Sequence, residues 1–304
     1  MTTPDQTVTK AGFAALIGVP NAGKSTLLNA LVGSKVSIVS RKVQTTRAIV
    51  RGIAIEGVSQ IVFVDTPGIF KPKRRLDRAM VTSAWGGAAD ADVICFLLDV
   101  RKGLDEENEA VLDRLPELKQ PKVLVLNKID TIERSKLLEL AASLNARVPF
   151  AHTFMISALN GDGVDRLRQQ LAEMMPDGPW LYPEDQISDA PLRMLAAEIT
   201  REKIYERLHE ELPYQSTVET DQWQQRPDGS VRIEQTIFVE RESQRKIVLG
   251  KSGQTIKAIG QAARKEIAEI AEAPVHLFLF VKVRENWGED PERYREMGLE
   301  FPKS

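Results

Sequence analysis

A short stretch near the start of the chain has the residues needed to bind phosphate groups. GVPNAGKST, Gly18 to Thr26, follows an apolar run, opens a helical pattern and has the spacing G-x-x-x-x-G-K-[ST]. In such a loop, backbone N–H groups surround nucleotide phosphates, the lysine reaches the β- and γ-phosphates, and the next hydroxyl binds Mg²⁺. We therefore predict a catalytic role for Lys24 and a metal-ligand role for Ser25. The predicted nucleotide contacts of this loop are Gly18, Val19, Pro20, Asn21, Ala22, Gly23, Lys24, Ser25 and Thr26.

The stretch NKID, Asn127 to Asp130, indicates which base accompanies those phosphates. A carboxylate at Asp130 can accept two hydrogen bonds from the N1–H and exocyclic amine of guanine, whereas adenine lacks that donor pair and would leave the carboxylate unpaired. Asn127 and Lys128 are expected to support the base and the phosphate loop. The pattern therefore predicts a guanine nucleotide and weighs against an ATPase or kinase. The remaining candidate residues at the base are Ile129, Ser157, Ala158 and Leu159.

Two polar stretches between these motifs could respond to the γ-phosphate. In DTPGI, Asp65 suits the Mg²⁺ position through a bridging water, and the Gly68 N–H suits the γ-phosphate. In QTTR, Gln44 to Arg47, a threonine can complete the metal shell; Thr46 is the candidate catalytic residue and metal ligand, with Thr45 as the alternative. The candidate residues of the first stretch are Asp65, Thr66, Pro67, Gly68 and Ile69.

Five motifs, which in chain order are GVPNAGKST, QTTR, DTPGI, NKID and SAL (Ser157 to Leu159), resemble those of the translation-factor-related GTPases. The resemblance implies that segments near Thr46 and from Gly68 to Arg75 are ordered by γ-phosphate and loosened by hydrolysis. Signalling GTPases place a glutamine where this chain has Ile69, and an apolar side chain cannot orient water, so slow intrinsic hydrolysis is expected. Bacterial GTPases with this substitution often use a potassium ion held by an asparagine at the position of Asn21, which predicts K⁺-stimulated hydrolysis.

A second GKS occurs in VLGKSGQTI, but its chemistry differs from that of the first. The glycine that a phosphate-binding loop requires is replaced by Arg245, and Gly250 to Gly253 instead fit the GXXG loop of a KH domain, which clamps single-stranded nucleotides. From Arg241 to Lys265 there are seven basic residues and one acid, in a chain of net charge −2, which favours nucleic acid over a merely solvated helix pair. The candidate RNA-binding residues are Arg245, Lys246, Gly250, Lys251, Ser252, Gly253 and Lys257.

Short apolar runs alternate with amphipathic stretches through the first half of the chain. This alternation predicts an α/β P-loop domain over residues 1–175, with a doubly wound, mainly parallel sheet whose strand ends carry the motifs. Proline-rich residues 176–191 are predicted to be a linker. Residues 192–304 show the order α-β-β-α-α-β, which predicts a small α+β domain of the KH type-2 class with a C-terminal tail. The strands are expected at 13–19, 60–66, 92–100, 122–128, 153–156, 214–225, 230–240 and 275–283. The helices are expected at 24–33, 77–89, 105–115, 134–144 and 192–212, followed by a short helix that ends at residue 249 and a longer one that begins near residue 254.

The composition limits the compartment and the kind of partner. With 42% hydrophobic and 28% charged residues, the 304-residue chain has the composition of a globular protein, and any nucleic-acid site must be a local basic patch. The single cysteine, Cys95, lies in an apolar run and is expected to be an inert buried thiol. One cysteine and the lack of a cationic–apolar leader favour the cytoplasm.

The pairing of a GTP-binding domain with a KH-type domain resembles the bacterial Era GTPases from about Phe13 to Phe301. The resemblance rests on QTTR, DTPGI, NKID, LGKSGQTIKAIG and VKVRENWGEDPERYREMGLEF. It implies Mg²⁺-dependent turnover of GTP to GDP, binding to the 3′-terminal region of 16S rRNA, and a role in 30S subunit assembly. It also implies a cytoplasmic protein, part of it peripheral at the inner membrane face, and we expect a monomer. The competing interpretation is a regulatory GTPase whose C-terminal domain docks protein or membrane.

Overall fold

The computed structural model describes residues 8–208 and 212–302, which form two units. The first unit comprises residues 8–36, 46–189 and 298–302, and the second comprises 37–45, 190–208 and 212–297. In this division residues 37–45 group with the second unit and residues 298–302 with the first.

The first unit is built on a six-stranded sheet with the strand order β2-β3-β1-β4-β5-β6. Every neighbouring pair is parallel except β2 and β3. The apolar runs form strands β3, β4 and β5, which are buried along their whole length as expected for a sheet covered on both faces. Edge strand β2 was not predicted, because its partly buried sequence has no continuous apolar run. The strands are β1 (Lys10–Ile17), β2 (Val50–Glu56), β3 (Ser59–Asp65), β4 (Val93–Asp99), β5 (Lys122–Asn127) and β6 (His152–Ile156).

Helices connect the parallel strands, so the carboxyl ends of those strands share one edge of the sheet. Strands β3, β4 and β5 end at Asp65, Asp99 and Asn127, and this edge therefore collects polar side chains from distant parts of the chain. Cys95 lies in the middle of β4 and is buried, which raises the pKa of its thiol to about 12, in agreement with the expected inert role. The helices are α1 (Lys24–Val32), α2 (Arg75–Ala89), α3 (Glu106–Arg114), α4 (Arg134–Arg147) and α5 (Val164–Met174), the last of which was not predicted.

Residues of the predicted linker pack along the edge of the first unit. The Ile53 N–H of β2 donates to the carbonyl oxygen of Ile187 at 2.9 Å, and the Gln60 side chain donates to the carbonyl of Tyr182 at 2.8 Å. The first bond satisfies a backbone group of edge strand β2 that would otherwise face solvent.

The second unit has a three-stranded sheet, β7-β8-β9, with an antiparallel first pair and a parallel second pair. Its order of elements agrees with the predicted KH type-2 pattern. Helix α6 ends at Arg207, earlier than predicted, and Leu212 begins a short 3₁₀ stretch; residues 209–211 lie outside the described residues. None of the helices within the described ranges combines the length and apolar content needed to cross a membrane. The elements are α6 (Leu192–Arg207), β7 (Ser216–Gln225), β8 (Val231–Val239), α7 (Glu242–Leu249), α8 (Gln254–Ile270), β9 (Val275–Val283) and α9 (Pro291–Glu296).

Candidate functional site

The loop between β1 and α1 has the close backbone approaches that its glycines predict. A Cβ atom added to Gly18 would lie 2.5 Å from the carbonyl oxygen of Leu97, and one added to Gly23 would lie 2.2 Å from Nδ2 of Asn127. Neither position can accept a larger residue without displacing a neighbouring strand end. The loop leads directly into α1 at Lys24, so the free N–H groups of the first helical turn face the same space.

Lys24 is almost fully buried in this loop and is held by the loop itself. Its Nζ atom donates to the carbonyl oxygens of Gly18 at 3.0 Å and Val19 at 3.1 Å. Burial lowers the pKa of Lys24 to about 8, and the charge of Asp65 offsets only part of this effect. A bound phosphate would supply the negative charge that the ammonium lacks and would raise the pKa again.

Three side-chain oxygens converge beside Lys24. The Ser25 hydroxyl donates to Oδ2 of Asp65 at 2.5 Å, and its Oγ lies 2.9 Å from Oγ1 of Thr46. Asp65 and Thr46 are both buried, and two hydroxyls with a carboxylate are the hard oxygen donors that Mg²⁺ prefers. The Thr45 hydroxyl donates instead to the carbonyl oxygen of Lys42 at 2.8 Å, which favours Thr46 over Thr45 as the metal-facing threonine.

The stretch after Asp65 lies against the phosphate loop. The Ile69 N–H donates to the carbonyl oxygen of Gly18 at 3.0 Å, and a Cβ added to Gly68 would lie 2.8 Å from Cγ of Pro20. Ile69 is only 7% exposed, so its side chain is packed away from solvent and presents no hydrogen-bonding group. Thr66 is also buried, and its hydroxyl donates to the carbonyl oxygen of Leu16 at 2.9 Å.

Asn127 connects three of the predicted motifs. Its Nδ2 donates to the carbonyl oxygen of Ala22 at 2.9 Å, while its Oδ1 accepts the N–H groups of Lys128 at 2.8 Å and Ala158 at 3.0 Å. The amide therefore fixes the base-side residues relative to the phosphate loop. Asp130 and Leu159 are exposed and follow β5 and β6, Leu159 with 81% of its surface accessible.

Sequence reasoning missed Asp99, which binds the lysine of NKID, and Arg101, which pairs with Asp99. Lys128 Nζ donates to Oδ2 of Asp99 at 2.7 Å and to the carbonyl oxygen of Asn21 at 2.6 Å. Arg101 donates to both carboxylate oxygens, at 3.0 Å from Nε and 2.7 Å from Nη2. Burial alone would raise the pKa of Asp99, but the hydrogen bonds from Arg101 and Lys128 lower it to about 2. The sequence feature that could have identified Asp99 is its position as the last residue of a buried strand, at the carboxyl edge of the sheet.

The second GKS forms a tight turn between α7 and α8, with positive φ at both glycines. A Cβ added to Gly250 would lie 2.1 Å from Oγ1 of Thr255, whereas one added to Gly253 would meet nothing within 4 Å. Gly250 therefore closes the turn, and Gly253 faces open space. Ser252 has a φ of 51°, and its side chain and that of Lys251 are exposed.

The candidate RNA-binding cations on either side of this turn are not equivalent. Lys246 and Lys257 are exposed and directed to solvent. Arg245 is engaged within the second unit, since Nε donates to the carbonyl oxygen of Val281 at 3.2 Å and Nη1 donates to Glu242 at 2.9 Å. Arg245 is consequently the least available of the predicted phosphate-binding cations.

Two family models match the chain, one to each unit. Residues 13–128 match the model described as a 50S ribosome-binding GTPase, and residues 211–288 match the KH domain model. Curated relatives match along nearly the whole chain. GTPase Era of Bradyrhizobium sp. strain BTAi1 is 72% identical over 295 residues, which is 97% of this chain and 96% of the relative. GTPase Era of Brucella suis biovar 1 is 70% identical over 298 residues, which is 98% of this chain and 96% of the relative.

Two solved structures are similar to this chain over almost their entire length. One is the crystal structure of a singly substituted variant of Aquifex aeolicus Era bound to GDP·AlF₄⁻, with a TM-score of 0.90 and 40% identity, covering 95% of this chain and 99% of that chain. The other is Era in complex with MgGDPNP and nucleotides 1506–1542 of 16S ribosomal RNA, with the same TM-score, identity and coverage.

Proposed function

The chain belongs to the GTPase Era family, and on that premise we propose that it binds the 3′-terminal region of 16S rRNA and acts in 30S subunit assembly. As a member of that family it is a GTP-hydrolysing enzyme with a KH domain. The observation that carries the proposal is the presence, in one chain, of the Ser25–Thr46–Asp65 oxygen cluster and of an open GKSG turn flanked by exposed lysines.

The nucleotide is proposed to lie along the carboxyl edge of the six-stranded sheet. Backbone N–H groups of the loop and the first turn of α1 would surround its phosphates, and Lys24 would exchange its bonds to loop carbonyls for bonds to the β- and γ-phosphates. The exposed Asp130 carboxylate would accept the N1–H and exocyclic amine of guanine. Ala158 and Leu159 would line the face of the base.

The residues present fit a magnesium ion. Ser25 and Thr46 would ligate it directly, and Asp65 would contact it through water, with the existing bonds among these side chains holding them in place. A magnesium ion held there would supply positive charge that offsets the negative charge of the phosphates. The chain itself positions the triphosphate and excludes bulk water with the buried Ile69 and Thr66.

Hydrolysis by this site is proposed to be slow unless potassium is present. Ile69 cannot orient an attacking water by hydrogen bonding, so the site lacks a group that signalling GTPases use. Asn21 lies in the loop with a φ of 64°, and its carbonyl oxygen is held by Lys128. We propose that its side chain holds K⁺, which would supply a fixed positive charge beside the phosphates.

The KH domain is proposed to hold the RNA backbone at the GKSG turn. Gly253 leaves the space above the turn open, and the exposed Lys246, Lys251 and Lys257 would pair with phosphates. From the family resemblance we also propose that the protein is cytoplasmic, that part of it is peripheral at the inner membrane face, and that it works as a monomer.

Binding of a labelled RNA with the sequence of the 16S 3′ end, compared with a scrambled RNA, tests the proposal. Asp and Asn both tolerate positive φ, so Gly253→Asp and Gly253→Asn form a matched pair that differs in one negative charge. We expect Gly253→Asp to lose at least about tenfold in affinity, more than Gly253→Asn, and the wild-type affinity to fall steeply with salt. If the two RNAs bind equally, or if the wild type, Gly253→Asp and Gly253→Asn bind the RNA equally, the result would favour a C-terminal domain that docks protein or membrane instead.

A further inference from the structure

Strand β9 of the second unit packs one face of its side chains into the core and exposes the other. Leu277, Leu279 and Val281 pack against buried clusters that include residues of α6 and α8. Because side chains alternate along a strand, the intervening residues lie on the opposite face. These intervening residues, which we call the outer row of β9, are His276, Phe278, Phe280 and Lys282, and all four are exposed.

Two aromatic rings are neighbours in the outer row. Phe278 is 44% exposed and Phe280 is 48% exposed. Single apolar residues are common on protein surfaces, but two phenylalanines side by side on one strand form a continuous apolar area that indicates a ligand-binding surface. Two residues of a strand span about 6.6 Å, so each ring can receive one of two successive planar groups of an extended chain.

The second unit itself shows which groups the rings of this sheet face attract. Phe238 of β8 lies on the same face, and the guanidinium groups of Arg284 and Arg293 lie 5.9 Å and 5.2 Å from the centroid of its ring. The guanidinium of Arg232 lies 5.0 Å from the centroid of Phe278. Planar cationic groups therefore stack on this face, and residues 284–297 cover Phe238 but leave the outer row of β9 exposed.

The charges beside the two rings suit an anionic ligand. Glu234, the carboxylate opposite Phe278 in the register, pairs with Arg232 and so presents no unpaired negative charge. Lys282 is exposed at the far end of the outer row and leaves this surface with a net positive charge. Single-stranded nucleic acid combines planar groups for the rings with phosphates for the cations, and proteins bind it with this combination of side chains.

The outer row adjoins the proposed path of the RNA. Arg245 of α7 donates from Nε to the carbonyl oxygen of Val281 at 3.2 Å. Val281 lies between Phe280 and Lys282 on β9, which is an edge strand of its sheet. Lys246, the next residue of α7, is exposed and is one of the lysines proposed to pair with RNA phosphates. A strand of RNA held at the GKSG turn can therefore continue past α7 and over the edge of the sheet.

We infer that Phe278 and Phe280 bind two bases of a single-stranded RNA that continues from the GKSG turn, each ring stacking on the face of one base. Lys282 would pair with a phosphate of the same segment. Every base has a π-face, so this surface lengthens the RNA that is bound without selecting its sequence. The inference goes beyond the GKSG turn but rests on the proposed RNA binding by the second unit.

The two rings are not equally available to a base. Arg232 lies over Phe278, whereas no cation of the described residues lies over Phe280. A base that stacks on Phe278 must share the ring with the guanidinium or displace it. Phe280→Leu alone should therefore weaken RNA binding more than Phe278→Leu alone.

Docking of a protein on the same surface makes a different prediction. An apolar contact depends on buried area, most of which a leucine retains, whereas stacking requires the aromatic ring. Replacement by leucine therefore removes a base-stacking site and largely preserves an apolar docking site. Replacement by tyrosine keeps the ring and should preserve base stacking.

The experiment uses the full chain with two double variants, Phe278→Leu with Phe280→Leu and Phe278→Tyr with Phe280→Tyr. Each is titrated with two RNAs from the 16S 3′ end, one of about four nucleotides, which a KH turn clamps, and one of about ten nucleotides. We expect the leucine variant to bind the longer RNA about tenfold more weakly and the shorter RNA as the wild type does, and the tyrosine variant to match the wild type for both. The control Met194→Ala changes an exposed apolar residue of α6 and should alter neither affinity.

Two further measurements separate stacking from other effects. The dependence of affinity on salt should be the same in the leucine variant and the wild type, because no charge is removed. In the wild type, which avoids any question of variant folding, the longer RNA carrying a photoreactive base should crosslink within residues 275–283.

The outcomes distinguish this inference from the proposed function. Equal affinity of the wild type and the leucine variant for the longer RNA, an equal loss for both RNAs, or a wild type that does not crosslink within residues 275–283 overturns the inference and leaves RNA binding at the GKSG turn intact. A wild type that binds neither RNA overturns the proposed function, and the inference with it.

Discussion

The ammonium group of Lys128 donates to the carboxylate of Asp99 at 2.7 Å while it also holds the carbonyl oxygen of Asn21 at 2.6 Å. Asp99 ends β4, Lys128 follows β5, and Asn21 belongs to the phosphate loop, so one lysine joins three parts of the sheet edge. Lys128 has a φ of 71°, which is unfavourable for a residue with a side chain and persists only where its surroundings hold it. The bonds from Lys128 to Asp99 and Asn21 are part of the surroundings that hold it.

Asp99→Asn should weaken the binding of GDP and GTP alike. An amide at this position carries no charge and can accept at only one of its two terminal atoms, so Lys128 and Arg101 lose their shared partner. Lys128 is only partly exposed, and weakening its charged hydrogen bond to the buried position costs about 1–3 kcal/mol, which corresponds to roughly a tenfold rise in Kd or more. Titration with a fluorescent GDP measures the effect. Asp113→Asn is the matched control, because that carboxylate pairs with Arg147 at the surface; equal affinities in the two variants would contradict the prediction.

Nucleotide binding should take up a proton just above neutral pH. The pKa of Lys24 is lowered to about 8 by burial in the free protein, and bound phosphate favours the charged form and raises it. Affinity should therefore fall by up to about tenfold per pH unit above pH 8. Calorimetry in two buffers of different ionisation enthalpy at about pH 8.5 measures the uptake as a fraction of one proton.

The ammonium group of Lys24 also makes the stability of the nucleotide-free protein depend on pH. Between a folded pKa of about 8 and the ordinary lysine value of 10.5, the unfolded chain binds more protons at this site. The contribution of Lys24 to the free energy of unfolding therefore rises with pH across that window. Lys24→Arg keeps its charge throughout, so proton uptake in that variant would show that another group is responsible.

Potassium should accelerate GTP hydrolysis on the order of tenfold relative to sodium at equal ionic strength, if Asn21 holds the ion beside the phosphates. Single-turnover rates in the two salts measure the ratio. Asn21→Ala removes the side-chain oxygen and should abolish the difference between the salts. A ratio that survives in this variant, or that is absent from the wild type, refutes the potassium site.

The glycine spacing of two motifs was sufficient to predict them from the sequence. GVPNAGKS and GKSG were identifiable because glycine spacing alone defines where a chain can approach phosphate, and the structure explains Gly18, Gly23 and Gly250 by contacts of 2.5 Å or less. The apolar runs of β3, β4 and β5 likewise predict their own burial.

The side-chain partnerships were not predictable in the same way. Asp99 and Lys128 are separated by 28 intervening residues, and nothing local distinguishes Asp99 from other acidic strand ends. In the sequence, Arg201 resembles the other basic residues of an amphipathic helix. Its burial depends on the packing of residues 37–45 against α6. Both require the tertiary fold, because the partner comes from a distant part of the chain.

Replacing either glycine of the GKSG turn by alanine should destabilise the second unit, but to different extents. Both have positive φ, but Gly253 (φ 75°, ψ 12°) lies in the left-handed region, which costs other residues about 1–2 kcal/mol, whereas Gly250 (φ 72°, ψ 175°) lies in a region occupied essentially by glycine only. Only at Gly250 does the new Cβ collide with Thr255, at 2.1 Å from Oγ1 and 2.9 Å from the backbone nitrogen. We therefore expect Gly250→Ala to destabilise the second unit by about 1–3 kcal/mol more than Gly253→Ala, measured by urea unfolding followed at the KH domain.

A double variant identifies the clash as the cause. Thr255→Ala removes the hydroxyl nearest to the new Cβ, so Gly250→Ala with Thr255→Ala should be more stable than the sum of the single effects predicts, by about 0.5–1 kcal/mol or more. Strict additivity would mean that the backbone conformation alone makes Gly250 necessary. Gly253→Ala, whose Cβ faces open space, should instead lose RNA affinity with little further loss of stability, which would separate closing the turn from contacting RNA.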